Sequence, residues 1–157
     1  MSLKVNIKSL LLVTTALVFA AAPVAAETVF EATLTSDQEV PPSGSEAYGT
    51  ATIILNDEET EAHYTVNFAG LDYEQTGAHF HNAPADANGP VVFTLDLGSP
   101  LAGVWPVTAE DVAALFADAI YINIHTVGYP TGEIRGNFAE TAVADEPSTW
   151  TEVKSLY

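Results

Sequence analysis

Three of the four histidines in this 157-residue chain lie in two short segments, Gly77-Ala78-His79-Phe80-His81 and Tyr121-Ile122-Asn123-Ile124-His125-Thr126. Both segments read as β-strands. Side chains alternate across a strand, so His79 and His81 share one face and Phe80 takes the other. In the second segment Ile120, Ile122 and Ile124 share a face, and Tyr121, Asn123 and His125 share the opposite one. If Phe80 and the isoleucines face a core, all three histidines project from its polar side. Three imidazoles supply most of a copper or zinc coordination sphere. Copper comes first because all-imidazole sites suit it and it tops the divalent affinity order. Zinc is the alternative, with the same three ligands and one open position. Hydrogen bonds from the imidazoles to backbone carbonyls, or packing under loops, are the non-metal reading.

Two further side chains belong to this constellation if residues 121–138 form a hairpin turning near Gly128 to Thr131. Glu133 then lies opposite His125 and Arg135 opposite Asn123. Glu133 is a candidate acceptor for an imidazole N–H that does not bind metal, or one half of a surface Glu–Arg pair worth little in water. Arg135 either guides an anion toward a metal or makes structural hydrogen bonds. Tyr121 and Asn123, on the face of His125, are either hydrogen-bonding supports for the ligands or ordinary polar sheet residues. His63 alternates with Ala62 and Tyr64 on a different strand and reads as a solvated surface residue.

The elements that must carry these residues are mostly short strands of period two. Phe30, Ala32 and Leu34 alternate with Glu31, Thr33 and Thr35, and Pro41-Pro42-Ser43-Gly44-Ser45 is a turn-rich connection. Gly49, Ala51, Ile53 and Leu55 form an apolar face, joined through Asn56-Asp57-Glu58-Glu59 to Ala62, Tyr64, Val66 and Phe68. Val91 to Thr94 reads as another strand. One helix is expected where Thr108 and Asp111 have capping-box spacing, with Val112, Leu115 and Phe116 on one face. Seven or eight strands and one short helix point to an all-β fold, an antiparallel Greek-key sandwich or barrel. Trp105 and Trp150 read as packing anchors.

Residues 1–26 read as a signal peptide: Lys4 and Lys8, an apolar stretch from Leu10 to Ala20, and Val24-Ala25-Ala26 before the expected cleavage. That places the mature chain in the periplasm or outside the cell, with no membrane attachment after cleavage. Residues 27–140 form the expected domain. Residues 141–157 form a linker and a tail in which Thr149 and Glu152 have capping-box spacing for a short C-terminal helix. The chain has 21 acidic and 4 basic residues, a net charge of −17, and no cysteine. Loss of Lys4 and Lys8 leaves Arg135 and Lys154 against the 21 carboxylates, a net charge of −19. Nucleic acid and anionic lipid, which need basic surface, are thereby disfavoured as partners. Without cysteine there is no disulfide framework, thiolate site or cysteine nucleophile. Neither a nucleophile elbow nor a phosphate-binding glycine loop is present.

The two histidine segments, Asn88-Gly89-Pro90-Val91-Val92 and Tyr129-Pro130-Thr131-Gly132-Glu133-Ile134-Arg135-Gly136 agree in order and spacing with one family. The chain resembles the CHRD domain, known from the extracellular protein chordin and from secreted bacterial proteins, over about Val29 to Phe138. Asp118 stands where the family more often has glycine, and Asn82 replaces a frequent glycine. The resemblance implies a β-rich extracellular domain. A weaker resemblance, to copper–zinc superoxide dismutase, rests on the order of His79, His81, His125 and Arg135 and implies a superoxide-dismutase-like barrel. It departs in having no metal-bridging histidine, zinc loop or disulfide, and shared architecture does not establish shared activity. Three functions stay open: an exported protein binding one copper ion in metal handling or redox protection; a dismutase-like copper enzyme; and a metal-free module for a protein or polysaccharide partner.

Overall fold

A computed structural model describes residues 27–141. Nine strands and one helix follow in the order β1 (Thr28–Thr35), β2 (Tyr48–Leu55), β3 (Glu61–Ala69), β4 (Gln75–Asn82), β5 (Val91–Thr94), β6 (Leu101–Pro106), α1 (Ala109–Phe116), β7 (Ile120–Thr126), β8 (Ile134–Asn137) and β9 (Ala139–Glu140). The strands form one antiparallel sheet in the order β5-β4-β7-β8-β1-β2-β3-β6, with the short β9 pairing β1 beside β8. The expected all-β sandwich or barrel is what the chain forms. The proposed C-terminal helix, Trp150 and the signal segment lie outside the described residues.

Period-two alternation builds the core. Phe30, Ala32 and Leu34 of β1, Ala51, Ile53 and Leu55 of β2, and Ala62, Tyr64 and Val66 of β3 all point inward and are buried. Phe80 of β4 stands at the centre, with Tyr64, Trp105 and Phe138 rings 5.4, 5.2 and 5.6 Å from its own. The two ends of the sheet meet through side chains: Phe93 of β5 stacks on Trp105 of β6 at 5.9 Å. Aromatic packing at this separation closes the barrel where no backbone ladder does.

Strand β6 was not legible in the sequence, for a physical reason. Its outward residues Ala102, Val104 and Pro106 are as apolar as its inward ones, so no alternation shows. Inward-pointing Gly103 leaves room for the Tyr64 hydroxyl, which a Cβ there would strike. Helix α1 begins as expected: Thr108 caps it and exchanges hydrogen bonds with Asp111. Its buried residues are Val112, Ala114 and Leu115, whereas Phe116 is half out in solvent with its edge on Phe30. The chain turns away there because Asp118 takes a left-handed φ of 53°, a backbone conformation that glycine adopts most readily.

Candidate metal centre

Strands β4, β7 and β8 place the chemistry on the outside of the barrel. Their registers pair His79 with Asn123 and Asn123 with Arg135; the next rung pairs His81 with Tyr121 and Tyr121 with Asn137. Gly77 pairs with His125. Phe80, Ile120, Ile122 and Ile124 are wholly buried on the inner side, so the three histidines project from the opposite face as their parity requires. A bulge between Phe80 and His81 in the β4–β5 pairing locally re-aims this strand.

One potential ligand nitrogen from each of His79, His81 and His125 lies within 4.8 Å of the others. The His79 and His125 rings are 4.8 Å apart, and His81 lies 5.7 and 5.9 Å from them. His81 Nδ1 is 3.0 Å from the Gly89 carbonyl and His125 Nδ1 is 3.1 Å from that of Pro130. A carbonyl only accepts, so each neutral ring carries its proton on Nδ1 and presents a bare Nε2 lone pair. Those two Nε2 atoms, and Nδ1 of His79, are buried and have no hydrogen-bond partner. Three neighbouring imidazoles, each with a buried unsatisfied nitrogen, fit a metal ion that prefers imidazole.

Burial reinforces this state. It lowers the affinity of all three rings for a proton, and it pushes His125 down to about 4, helped by repulsion from His79. For His81 the carbonyl of Gly89 opposes the burial effect, while His79 and Arg135 add to it. The rings are thus neutral and ligand-competent at neutral pH. Gly77 makes room for them, since a Cβ there would lie 3.0 Å from His79 Cε1 and 3.6 Å from His125 Cδ2.

Two loops roof this face. Asn88 donates to the Val40 carbonyl at 2.7 Å, tying residues 83–90 to the segment that follows β1. Gly89 N–H donates to the Tyr121 hydroxyl at 3.1 Å. Tyr121 lies flat against His81, the rings 4.9 Å apart and 9° from parallel. Its other face carries the Arg135 guanidinium, 3.6 Å from the ring centroid. His81, Tyr121 and Arg135 therefore form a continuous stack, and Tyr121 supports a candidate ligand by packing.

Arg135 is fully buried. It donates to the Ala87 carbonyl, the Asn88 side chain and the Asn137 side chain. Of the two roles open in the sequence, structural hydrogen bonding is the one these contacts provide. Glu133 also differs from expectation. The β7–β8 pairing ends at Ile124 and Ile134, one residue short of Glu133, and His125 gives its N–H to Pro130. The Glu133 carboxylate instead accepts from Ser45 Oγ, Asp72 N–H and Thr126 Oγ1 at 2.8, 2.7 and 2.7 Å. It fastens three chain segments rather than orienting a ring.

Asn123 leads to a residue that sequence reasoning missed. It donates to the buried Glu39 carboxyl at 3.5 Å and to the Thr131 carbonyl at 3.3 Å. Glu39 Oε1 and Asn123 Oδ1 remain without partners. Both converge on Gly132, where φ is +134° and a Cβ would strike both oxygens. One proton on Glu39 gives the two acceptors a bond to share. Burial pushes the Glu39 carboxyl up to about 7, against the opposing pull of Arg135 and the hydrogen bond from Asn123. Among 21 acidic residues, nothing in the sequence distinguishes Glu39. His63 is exposed on β3, away from the site, as its parity indicated.

Among the described residues no helix is long and apolar enough to cross a membrane. No match to the chain was found among curated proteins or among solved structures. A family model, the CHRD domain, matches residues 30–138, a span that contains every strand of the site and both roofing loops. The chain belongs to the CHRD domain family.

Proposed function

We propose that this is an exported CHRD-domain protein that binds one copper ion through His79, His81 and His125, serving metal handling or protection against redox stress. The observation that carries the reading is that His79, His81 and His125 bring a ring nitrogen each within 4.8 Å of one another, and that each ring has a buried nitrogen without a partner. The donor set supports copper first and zinc second, since imidazole suits both and copper leads the affinity order. Export rests on the reading of residues 1–26 as a signal peptide and on the extracellular character of the family.

Binding is favoured over dismutation. A dismutase would need Arg135 to draw an anion to the metal, and Arg135 is enclosed beneath Ala87 and Asn88. The strongly negative chain adds a repulsive field. The deciding experiment is elemental analysis of protein purified from its native compartment with no metal added. About one equivalent of copper, lost when His79 and His125 are replaced by alanine, is the expected result; about one equivalent of zinc would change the metal and keep the site. Metal-free native protein that also fails to retain added copper would overturn the proposal and leave the interaction-module reading. Superoxide and peroxide turnover by the copper-loaded protein should not exceed that of the histidine variant.

A further inference from the structure

The outer face of β1, β2, β3 and β6 is the opposite of the roofed one. Tyr48, Thr50 and Thr52 of β2, Thr33 of β1 and Thr65 and Asn67 of β3 project from it. The registers align them in two rows, Thr33–Thr50–Asn67 and Glu31–Thr52–Thr65–Ala102. Sheet geometry makes this a grid with rungs about 4.8 Å apart and steps of about 7 Å along each strand. None of the side chains of Glu31, Thr33, Thr50, Thr52, Thr65 or Asn67 has a hydrogen-bond partner within the described protein, so their donors and acceptors face solvent. Tyr48 is 64% exposed.

Two shallow depressions lie on this face and meet at Thr50. One, of about 320 Å³, runs along Glu31, Thr33, Thr50 and Thr52. The other, of about 280 Å³, lies among Tyr48, Thr50, Asn67 and Ser99. We propose that this face is a binding site for a neutral polysaccharide, with a sugar ring stacked on Tyr48 and neighbouring hydroxyls bonded to Thr33, Thr50, Thr52 and Asn67.

Charge selects the occupant. The chain carries a net charge of −17, yet Glu31 is the one ionisable side chain in the two rows. A polyanion needs lysine or arginine and finds none here, while the molecule as a whole repels it. A cationic partner would be drawn to the acidic remainder of the surface. A protein interface would need several aromatic or arginine anchors sunk into pockets, and this strip has one tyrosine in a shallow relief. A neutral polyol needs what is present: an aromatic ring for its C–H face and a regular set of uncharged hydroxyl and amide groups.

The site is separate from the proposed metal centre, so the two stand or fall independently. The test is native affinity electrophoresis of the mature chain in gels containing laminarin, glucomannan or alginate, with co-sedimentation on insoluble cellulose and chitin. Retardation or co-sedimentation with at least one neutral polymer, and none by alginate, is expected. It should be unchanged by EDTA and by replacing His79 and His81 with alanine. Tyr48→Ala should weaken it about tenfold or more, the scale of one lost aromatic contact. Thr50→Glu, which sets a carboxylate where the depressions meet, should weaken it too, and unchanged urea midpoints would certify that both variants fold. The proposal is overturned if no neutral polymer binds, if alginate alone binds, if Tyr48→Ala binds like the native chain, or if EDTA abolishes binding.

Discussion

The barrel has two polar outer faces that the same alternation produces and that end in different states. Over β4, β7 and β8, loops 36–45 and 83–90 roof much of the outer face: His81, Asn123 and Arg135, with Glu133 just before β8, are almost entirely out of water, while His79 is half-buried. On β1, β2, β3 and β6 the outward residues meet solvent directly. Every buried side-chain nitrogen or oxygen without a partner among the described residues belongs to the roofed face. A polar strand face becomes a chemical site when something excludes water from it, since only then does an unmet lone pair carry a cost. Without a roof the same pattern is an ordinary wet surface with free hydrogen-bonding groups.

The contrast can be broken most severely at the histidines. Replacing His79 and His125 with alanine should take copper stoichiometry from about one to near zero, whereas Thr50→Ala and Thr65→Ala on the open face should leave it at one; elemental analysis after desalting reads both. Next comes Glu133→Ala. It strands two hydroxyls and a backbone N–H in a dry setting and should cost about 3 kcal/mol or more in urea unfolding. An effect below about 1 kcal/mol would mean that water reaches this face after all. Gly77→Ala should be gentler on stability but should lower copper affinity about tenfold by pushing on the His79 and His125 rings, as competition with a chelator would reveal.

A pH series sharpens the same contrast. Glu39, at about 7 instead of 4.5, holds its proton more tightly in the folded chain. Its contribution is therefore complete below pH 4.5 and disappears as pH rises through 7. His125, at about 4 instead of 6.5, holds its proton less tightly when folded. It penalises the folded state in acid, and that penalty vanishes as pH rises from 4 to 6.5. The two trends oppose each other in metal-free protein. Glu39→Gln removes the first, so the variant's stability should climb with pH across this window more steeply than the native chain's. Identical slopes would show that Glu39 does not carry the proton. The smallest effect belongs to the open face, where Tyr48→Ala and Thr50→Ala should each change stability by no more than about 0.5 kcal/mol.

Strand parity made the histidine cluster legible, because His79, His81 and His125 each alternate with a residue that must be in the core. The register of Arg135 against Asn123 was legible too, from the position of the turn. What covers those residues was not. Glu39 and Gly89 reach the site from loops, whose paths no periodicity describes, and Glu133 faced a choice between His125 and Ser45 that only tertiary placement decides. Strand β6 escaped for the opposite reason: both of its faces are apolar, so its period is invisible. The left-handed turn at Asp118 was present only as a departure from the family's glycine, and its meaning appears with the backbone angle.

The Gly89 peptide has a kinetic consequence. Its carbonyl accepts from His81 and its N–H donates to Tyr121, so one loop residue is fastened to a candidate ligand and to that ligand's stacking partner. Were an ion bound through His81, swinging that ring off it would first break the hydrogen bond to the loop. Its residence time would then depend on how often residues 83–90 lift away, a local opening separate from the strength of any metal–nitrogen bond.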